Sequence, residues 1–170
     1  MNILYLHGLD SSLNDEKRAI LEKYGKVYAP LIDYRKDANR VAFLIDEFKD
    51  KAIDVVIGSS MGGFAGYYVA DVLQRPALLF NPALAYRSVL QKIPNSKHQG
   101  LNSKLQIPKS KLIHIVLGAK DEVIDPKTTL EFLANSIGVD NYNIKIRQDL
   151  EHRIPEGVFE EEVGGFFGVI

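Results

Sequence analysis

Six short apolar runs, separated by segments of helical period, constrain this chain more than any other feature. "NILYL" (2–6), "KVYAP" (26–30), "IDVVI" (53–57), "PALLF" (76–80), "KLIHIVLG" (111–118) and "YNIKIRQ" (142–148) read as strands. Between them, "NDEKRAILEKYG" (14–25), "ANRVAFLIDEFKD" (38–50), "MGGFAGYYVADVL" (61–73) and "PKTTLEFLANSIG" (126–138) read as helices. A last short helix includes "GVFEEEVGGF" (157–166). Within 38–50, Val41, Leu44, Ile45 and Phe48 recur on one helical face. Asn14 or Ser12 starts the first helix and Gly25 stops it, while Pro126 and Gly138 bracket the fourth. Strands alternating with helices predict an α/β fold: a mainly parallel sheet with a helix layer on each face. The near-continuous apolar strands fit a sheet covered on both sides, and the crossovers are expected to be right-handed.

Composition limits what such a sheet can serve. The chain has 170 residues, 46% of them hydrophobic, and a formal net charge of −1. A chain of this size hides roughly 70% of its unfolded surface, so a single domain over 1–170 needs no metal or disulfide staple. Balanced charge argues against nucleic-acid or anionic-membrane partners, which call for a basic excess. There is no cysteine, which excludes thiolate catalysis and cysteine-ligated metals. "MNILYLHG" lacks the basic start of a signal peptide, and no apolar stretch nears bilayer length. The expectation is a soluble cytoplasmic protein. Residues 81–110 are long for a connection. Their first part could be helical through Leu84, Tyr86, Val89, Leu90 and Ile93, and the segment is a candidate small lid. The charge runs "EFKDK" and "FEEE" read as solvated helix faces. The apolar end "FFGVI" could pack on a sheet edge or form a homodimer contact.

"GSSMGG" follows the third strand and opens the third helix. Only Ser60 is the central residue of G-x-S-x-G, with Gly58 and Gly62 around it, because the position two beyond Ser59 is Met61. A strand–turn–helix elbow of this kind holds its serine in a strained conformation at the carboxyl edge of a sheet. The flanking glycines avoid collisions with the neighbouring strand and helix. The N–H of Met61 then faces a developing oxyanion. A second donor should come from the loop after the first strand, "HGLDSS", where Gly8 admits close backbone approach and Leu9 supplies the N–H. The chain has neither G-x-x-x-x-G-K-[ST] nor a G-x-G-x-x-G after its first strand, so a phosphate-cradling turn is the weaker reading.

A serine hydroxyl needs a base. Of four histidines, His114 falls inside a strand and reads as core, and His98 lies in a polar loop. His7 reads as a residue that holds its own loop. His152, just beyond the sixth strand, is the candidate base. The imidazole needs a carboxylate to fix its tautomer. Asp121 and Asp125 compete for that role; Asp121 is nearer the strand end, while Asp125 is placed to cap the helix before Pro126. The resulting order, Ser60, Asp121, His152, is that of α/β-hydrolases.

On "ILYLHGLDSS", "GSSMGGFAG", "LLFNPAL" and "GAKDEVI" the sequence resembles the α/β-hydrolase superfamily, and within it the small, lidless YqiA-type esterases of the UPF0227 group. The resemblance implies about six strands in the order 2-1-3-4-5-6. It implies carboxylesterase or thioesterase activity on small acyl substrates with no metal or organic cofactor. It makes Ser60 the nucleophile, Asp121 the acid and His152 the base, with Leu9 and Met61 as backbone donors. Leu150 and Glu151 precede the histidine where such families commonly carry Gly or Asp. Asn81, Leu84 and Tyr86 are candidates to line the pocket, as are Phe64, Tyr67 and Tyr68, although such aromatics more often pack a core. Cleavage of a peptide or carbon–carbon bond, or a binding role without catalysis, are the competing functions.

Overall fold

The computed structural model describes residues 1–86, 113–135 and 142–170. In chain order the elements are β1 (Asn2–Leu6), α1 (Asp15–Glu22), β2 (Lys26–Tyr28), α2 (Arg40–Phe48), β3 (Val55–Ser59), α3 (Met61–Leu73) and β4 (Ala77–Phe80). A 3₁₀ turn (Leu84–Tyr86), β5 (Ile113–Gly118), α4 (Pro126–Ala134), β6 (Tyr142–Arg147) and α5 (Glu156–Phe167) follow. The six strands form one sheet in the order β2-β1-β3-β4-β5-β6. Every neighbouring pair is parallel.

Alternation along β1 shows why its sequence is apolar throughout. Leu4 and Leu6 enter one core with Val41, Leu44 and Phe48 of α2 and Phe64 and Val69 of α3. Ile3 and Tyr5 enter another with Ile20 and Leu21 of α1 and Phe159, Val163 and Phe166 of α5. A strand buried on both faces has no position left for a solvated side chain.

Most segment ends move by a few residues. The third strand was expected over 53–57 and runs over Val55–Ser59, because hydrophobicity reports burial while the ladder depends on partners. Ile53 is buried but precedes the ladder, whereas Gly58 pairs with Leu6 and Leu79, and Ser59 with Phe80. The first helix stops at Glu22, where the Lys23 N–H donates to the Ile20 carbonyl and the Tyr24 N–H to the Leu21 carbonyl, not at Gly25. Gly25 has another role: a Cβ there would lie 2.1 Å from the Met1 carbonyl oxygen. Asn14 rather than Ser12 caps that helix, accepting from the Lys17 N–H. "FEEE" is solvated only in part, at the exposed Glu160 and Glu161. Phe159 and Glu162 are buried, and the Glu162 carboxylate receives Arg147 Nη1 at 2.7 Å. Phe166 is buried and Phe167 stacks on Tyr24, while Val169 and Ile170 are exposed. Most of the candidate lid, His98 included, lies outside the described residues, as does the end of the predicted 126–138 helix. Among the described residues no helix is long and apolar enough to cross a membrane.

The strand order reverses direction between β1 and β3. In open parallel sheets the loops at such a point diverge and leave a crevice at the carboxyl edge. The loops after β1 and β3 are those that carry Gly8–Leu9 and Ser60.

Candidate functional site

Ser60 sits between β3 and α3 with φ 54° and ψ −117°, a region that a side-chain-bearing residue enters at a cost of about 1–3 kcal/mol. The surroundings over-determine it. Its N–H donates to the Phe80 carbonyl at 2.9 Å, and its carbonyl accepts from Phe64 N at 3.0 Å and Ala83 N at 3.1 Å. Close packing requires the two flanking glycines. A Cβ on Gly58 would lie 2.3 Å from the Gly62 carbonyl oxygen, and one on Gly62 would lie 2.0 Å from that of Leu6. Ser59 is the last residue of β3. The strained position distinguishes the two serines: it belongs to Ser60 alone.

Met61 opens α3, so its N–H precedes the first intrahelical bond, that from Phe64 to Ser60. Gly8 backs directly onto the serine, because a Cβ there would stand 3.3 Å from the Ser60 Cβ. His7 holds this loop. Its Nδ1 meets the Gly8 carbonyl at 2.6 Å, and its Nε2 accepts from the Ile32 N–H at 2.9 Å. Those partners require the proton on Nδ1, which leaves the buried ring with a structural task.

The carboxylate and imidazole come from the loops after β5 and β6. His152 Nδ1 lies 2.8 Å from Asp121 Oδ2, and Asp121 Oδ1 accepts from the N–H groups of Val123 and Ile124, each at 2.8 Å. The Asp121 side chain is fully buried, while that of His152 is 28% exposed. A carboxylate oxygen facing Nδ1 places the ring proton there and leaves the Nε2 lone pair free to accept. Asp125 is exposed and caps α4, its side chain accepting from the Lys127 N–H. Of the two competing aspartates, only Asp121 reaches the imidazole. The Leu150–Glu151 departure leaves His152 in place. Leu150 is buried, and its carbonyl accepts from the Lys120 N–H at 3.0 Å.

Asn81 is placed differently from expectation. It does not border the cleft but lies behind it, buried, with φ 41°. Its Oδ1 accepts from the Gly118 N–H at 2.7 Å, and its Nδ2 donates to the carbonyls of Glu151 at 2.9 Å and His152 at 3.2 Å. One side chain therefore clamps the end of β5, which leads to Asp121, to the loop that carries His152. Sequence reasoning missed this role; the only local signal was an asparagine at the carboxyl end of a central strand. Leu84 is also core, with no exposed surface, and Ala83 takes the place on the cleft wall. Phe64 is core as well. The Tyr86 side chain lies outside what is described. His114 is half-buried beside Phe166, well away from Ser60 in the fold, and burial pushes its pKa down.

Ser60, Met61, Gly8, Leu9 and His152 border one cleft of about 1010 Å³. Its walls also hold Tyr5, Lys17, Val123, Ile124, Arg153 and Ile154, none of which the sequence had marked. Among the described residues no group of three or more His, Asp or Glu side chains is placed to hold a metal ion.

The model of an uncharacterised protein family, UPF0227, matches residues 2–155. Solved structures of the same fold include alpha/beta hydrolase domain-containing protein 10 from mouse, 13% identical, with a TM-score of 0.68 over 99% of this chain and 88% of that one. The monoacylglycerol lipase of Paleococcus ferrophilus is 13% identical, with a TM-score of 0.65 over 99% and 93%. A serine hydrolase involved in carbazole degradation is 16% identical, with a TM-score of 0.63 over 100% and 92%. At such identities the likeness is one of fold, and that fold is the α/β-hydrolase fold. No curated protein matches the sequence significantly.

Proposed function

Since this chain belongs to the UPF0227 family and has the α/β-hydrolase fold, we propose that it is a serine hydrolase of small acyl esters or thioesters. The observation that carries the reading is the His152–Asp121 bond of 2.8 Å at the edge of the cleft into which the strained Ser60 opens. The lipase and serine hydrolase of the same fold support the reaction class.

In this mechanism Ser60 Oγ attacks the acyl carbon while its proton passes to His152 Nε2. The Oγ–C bond forms and the carbonyl electrons move onto oxygen. The N–H groups of Met61 and Leu9 receive that oxyanion; one such donor is typically worth about 3–4 kcal/mol in the transition state. Asp121 keeps the Nδ1 proton in place and offsets the charge of the imidazolium. As the carbonyl re-forms, the bond to the leaving oxygen or sulfur breaks, and the leaving group takes the proton from Nε2. Water then attacks the acyl-enzyme with Nε2 as base. The Ser60 Oγ–C bond breaks, and the serine recovers its proton as the acid departs. No step calls for a metal or organic cofactor.

A fluorophosphonate probe with peptide mapping tests the reading. The adduct is expected on Ser60, and Ser60→Ala should abolish both labelling and p-nitrophenyl butyrate hydrolysis, while Ser59→Ala keeps measurable turnover. An unlabelled Ser60 in folded protein would favour a binding protein over an enzyme.

A further inference from the structure

The cleft in front of Ser60 has a second chemical character, supplied by two cations. Lys17 comes from α1 and Arg153 directly follows His152, and both border the cleft. Lys17 is half-buried and held. Its ammonium donates to the Ile154 carbonyl at 2.7 Å and stands 5.3 Å from the centroid of the Phe159 ring. Two N–H bonds remain for another acceptor. Arg153 is exposed. Among the described residues neither cation has a carboxylate within ion-pairing distance.

Three carboxylates, those of Asp10, Glu151 and Glu156, also border the cleft, and none is ion-paired with Lys17 or Arg153. Asp10 is engaged by Arg35. Glu151 and Glu156 are both exposed. At Lys17 the balance is repulsive: burial is the largest cause that lowers its pKa, Arg153 the second, and the opposing pull of Glu156 is weaker than either. Two like charges that border one cleft and repel each other, without an ion-paired carboxylate of their own among the described residues, favour an anion beside them.

We propose that Lys17 and Arg153 form an anion subsite of this cleft, so that the preferred ester or thioester carries a carboxylate or phosphate. The inference rests on the hydrolase reading above and specifies its substrate class. Both residues determine specificity and take no part in bond making.

The test compares kcat/KM for matched substrates in two arms. The acyl arm sets the p-nitrophenyl monoester of glutarate against p-nitrophenyl butyrate. The leaving-group arm sets the butyryl thioester of 3-mercaptopropionate against that of ethanethiol. The charged substrate is expected to lead in at least one arm, and the arm identifies which half of the substrate bears the anion. Arg153→Gln should lower the charged-to-neutral ratio by about fivefold, the scale of one partly exposed charge contact, chiefly through KM. Arg153→Glu should lower it further, and raising the salt from about 0.05 M to about 0.5 M should lower it in the parent protein. Lys17→Met should act in the same direction, with its Tm recorded because Lys17 also ties α1 to Ile154. Equal ratios in both arms with neutral esters still cleaved, or a preference that Arg153→Gln leaves intact, would overturn the subsite and spare the hydrolase. Failure to cleave any ester, without labelling of Ser60, would instead remove the hydrolase reading and the subsite with it.

Discussion

Replacing Asp121 by Asn exchanges one carboxylate oxygen for NH₂ with almost no change in shape, and the structure sets the consequence. Asp121 Oδ1 faces two backbone donors, the N–H groups of Val123 and Ile124. In the Asp121→Asn protein the amide oxygen must take that place. The reverse orientation would turn an NH₂ group toward the half-buried Val123 N–H and the buried Ile124 N–H, and stranding the buried donor alone costs about 1–3 kcal/mol. A cost of about 2 kcal/mol is roughly a thirtyfold bias. The NH₂ then faces His152 Nδ1, which must become an acceptor. The ring proton moves to Nε2, and the lone pair that would take the Ser60 proton is gone. The expected result is a fall in kcat of about 10³–10⁴-fold with little change in KM. That corresponds to about 4–5.5 kcal/mol of transition-state stabilisation. The fold should lose only about 1–3 kcal/mol, because three charge-assisted bonds become neutral while none need be lost. Asp125→Asn is the matched control, since Asn caps a helix as well as Asp does. Steady-state hydrolysis of p-nitrophenyl butyrate and urea unfolding measure both effects. An Asp121→Asn variant within about tenfold of the parent kcat, a change too small for a lost tautomer, would refute the reasoning. So would equal losses from the two substitutions.

Three further outcomes follow from packing and burial. Gly62→Ala puts a methyl 2.0 Å from the Leu6 carbonyl oxygen, so α3 must leave the sheet; a loss above about 3 kcal/mol is expected, read as a Tm fall of at least about 6 °C in a chain of this size. Gly165→Ala in α5 meets nothing within 4 Å and should stabilise by about 0.5–1 kcal/mol. In the alkaline range, burial pushes the Tyr5 phenol up to about 12 and raises Tyr34 further. The native state keeps these protons while the unfolded chain releases them from about pH 10. Stability is therefore complete below about pH 10 and falls by about 1.4 kcal/mol per pH unit for each such tyrosine as pH rises toward about 12. Urea midpoints from about pH 9 to about pH 11 should show the decline, and Tyr5→Phe should make it shallower by about one proton.

The alternation of strands and helices, the two-sided burial of β1 and the serine elbow were legible because each depends on neighbours in the chain. Apolar period reports how many faces of an element are covered. Gly58, Ser60 and Gly62 lie within five residues, and the strand and helix they join are adjacent. The strand order followed from the family resemblance, not from periodicity. Asp121 could be preferred over Asp125 only by its place at a strand end; the bond to His152 decided between them, across 31 residues. The Asn81 clamp reaches 37 residues to Gly118 and 70 to Glu151. Lys17 meets the His152 loop across 137 residues. The chain by itself determined which segments are strands and which are helices, and which serine must be strained, since local sterics and the period of burial carry that information. Only the tertiary structure decided which loops meet at the carboxyl edge of the sheet, because a buried polar group takes its partner from whatever the strand order sets beside it.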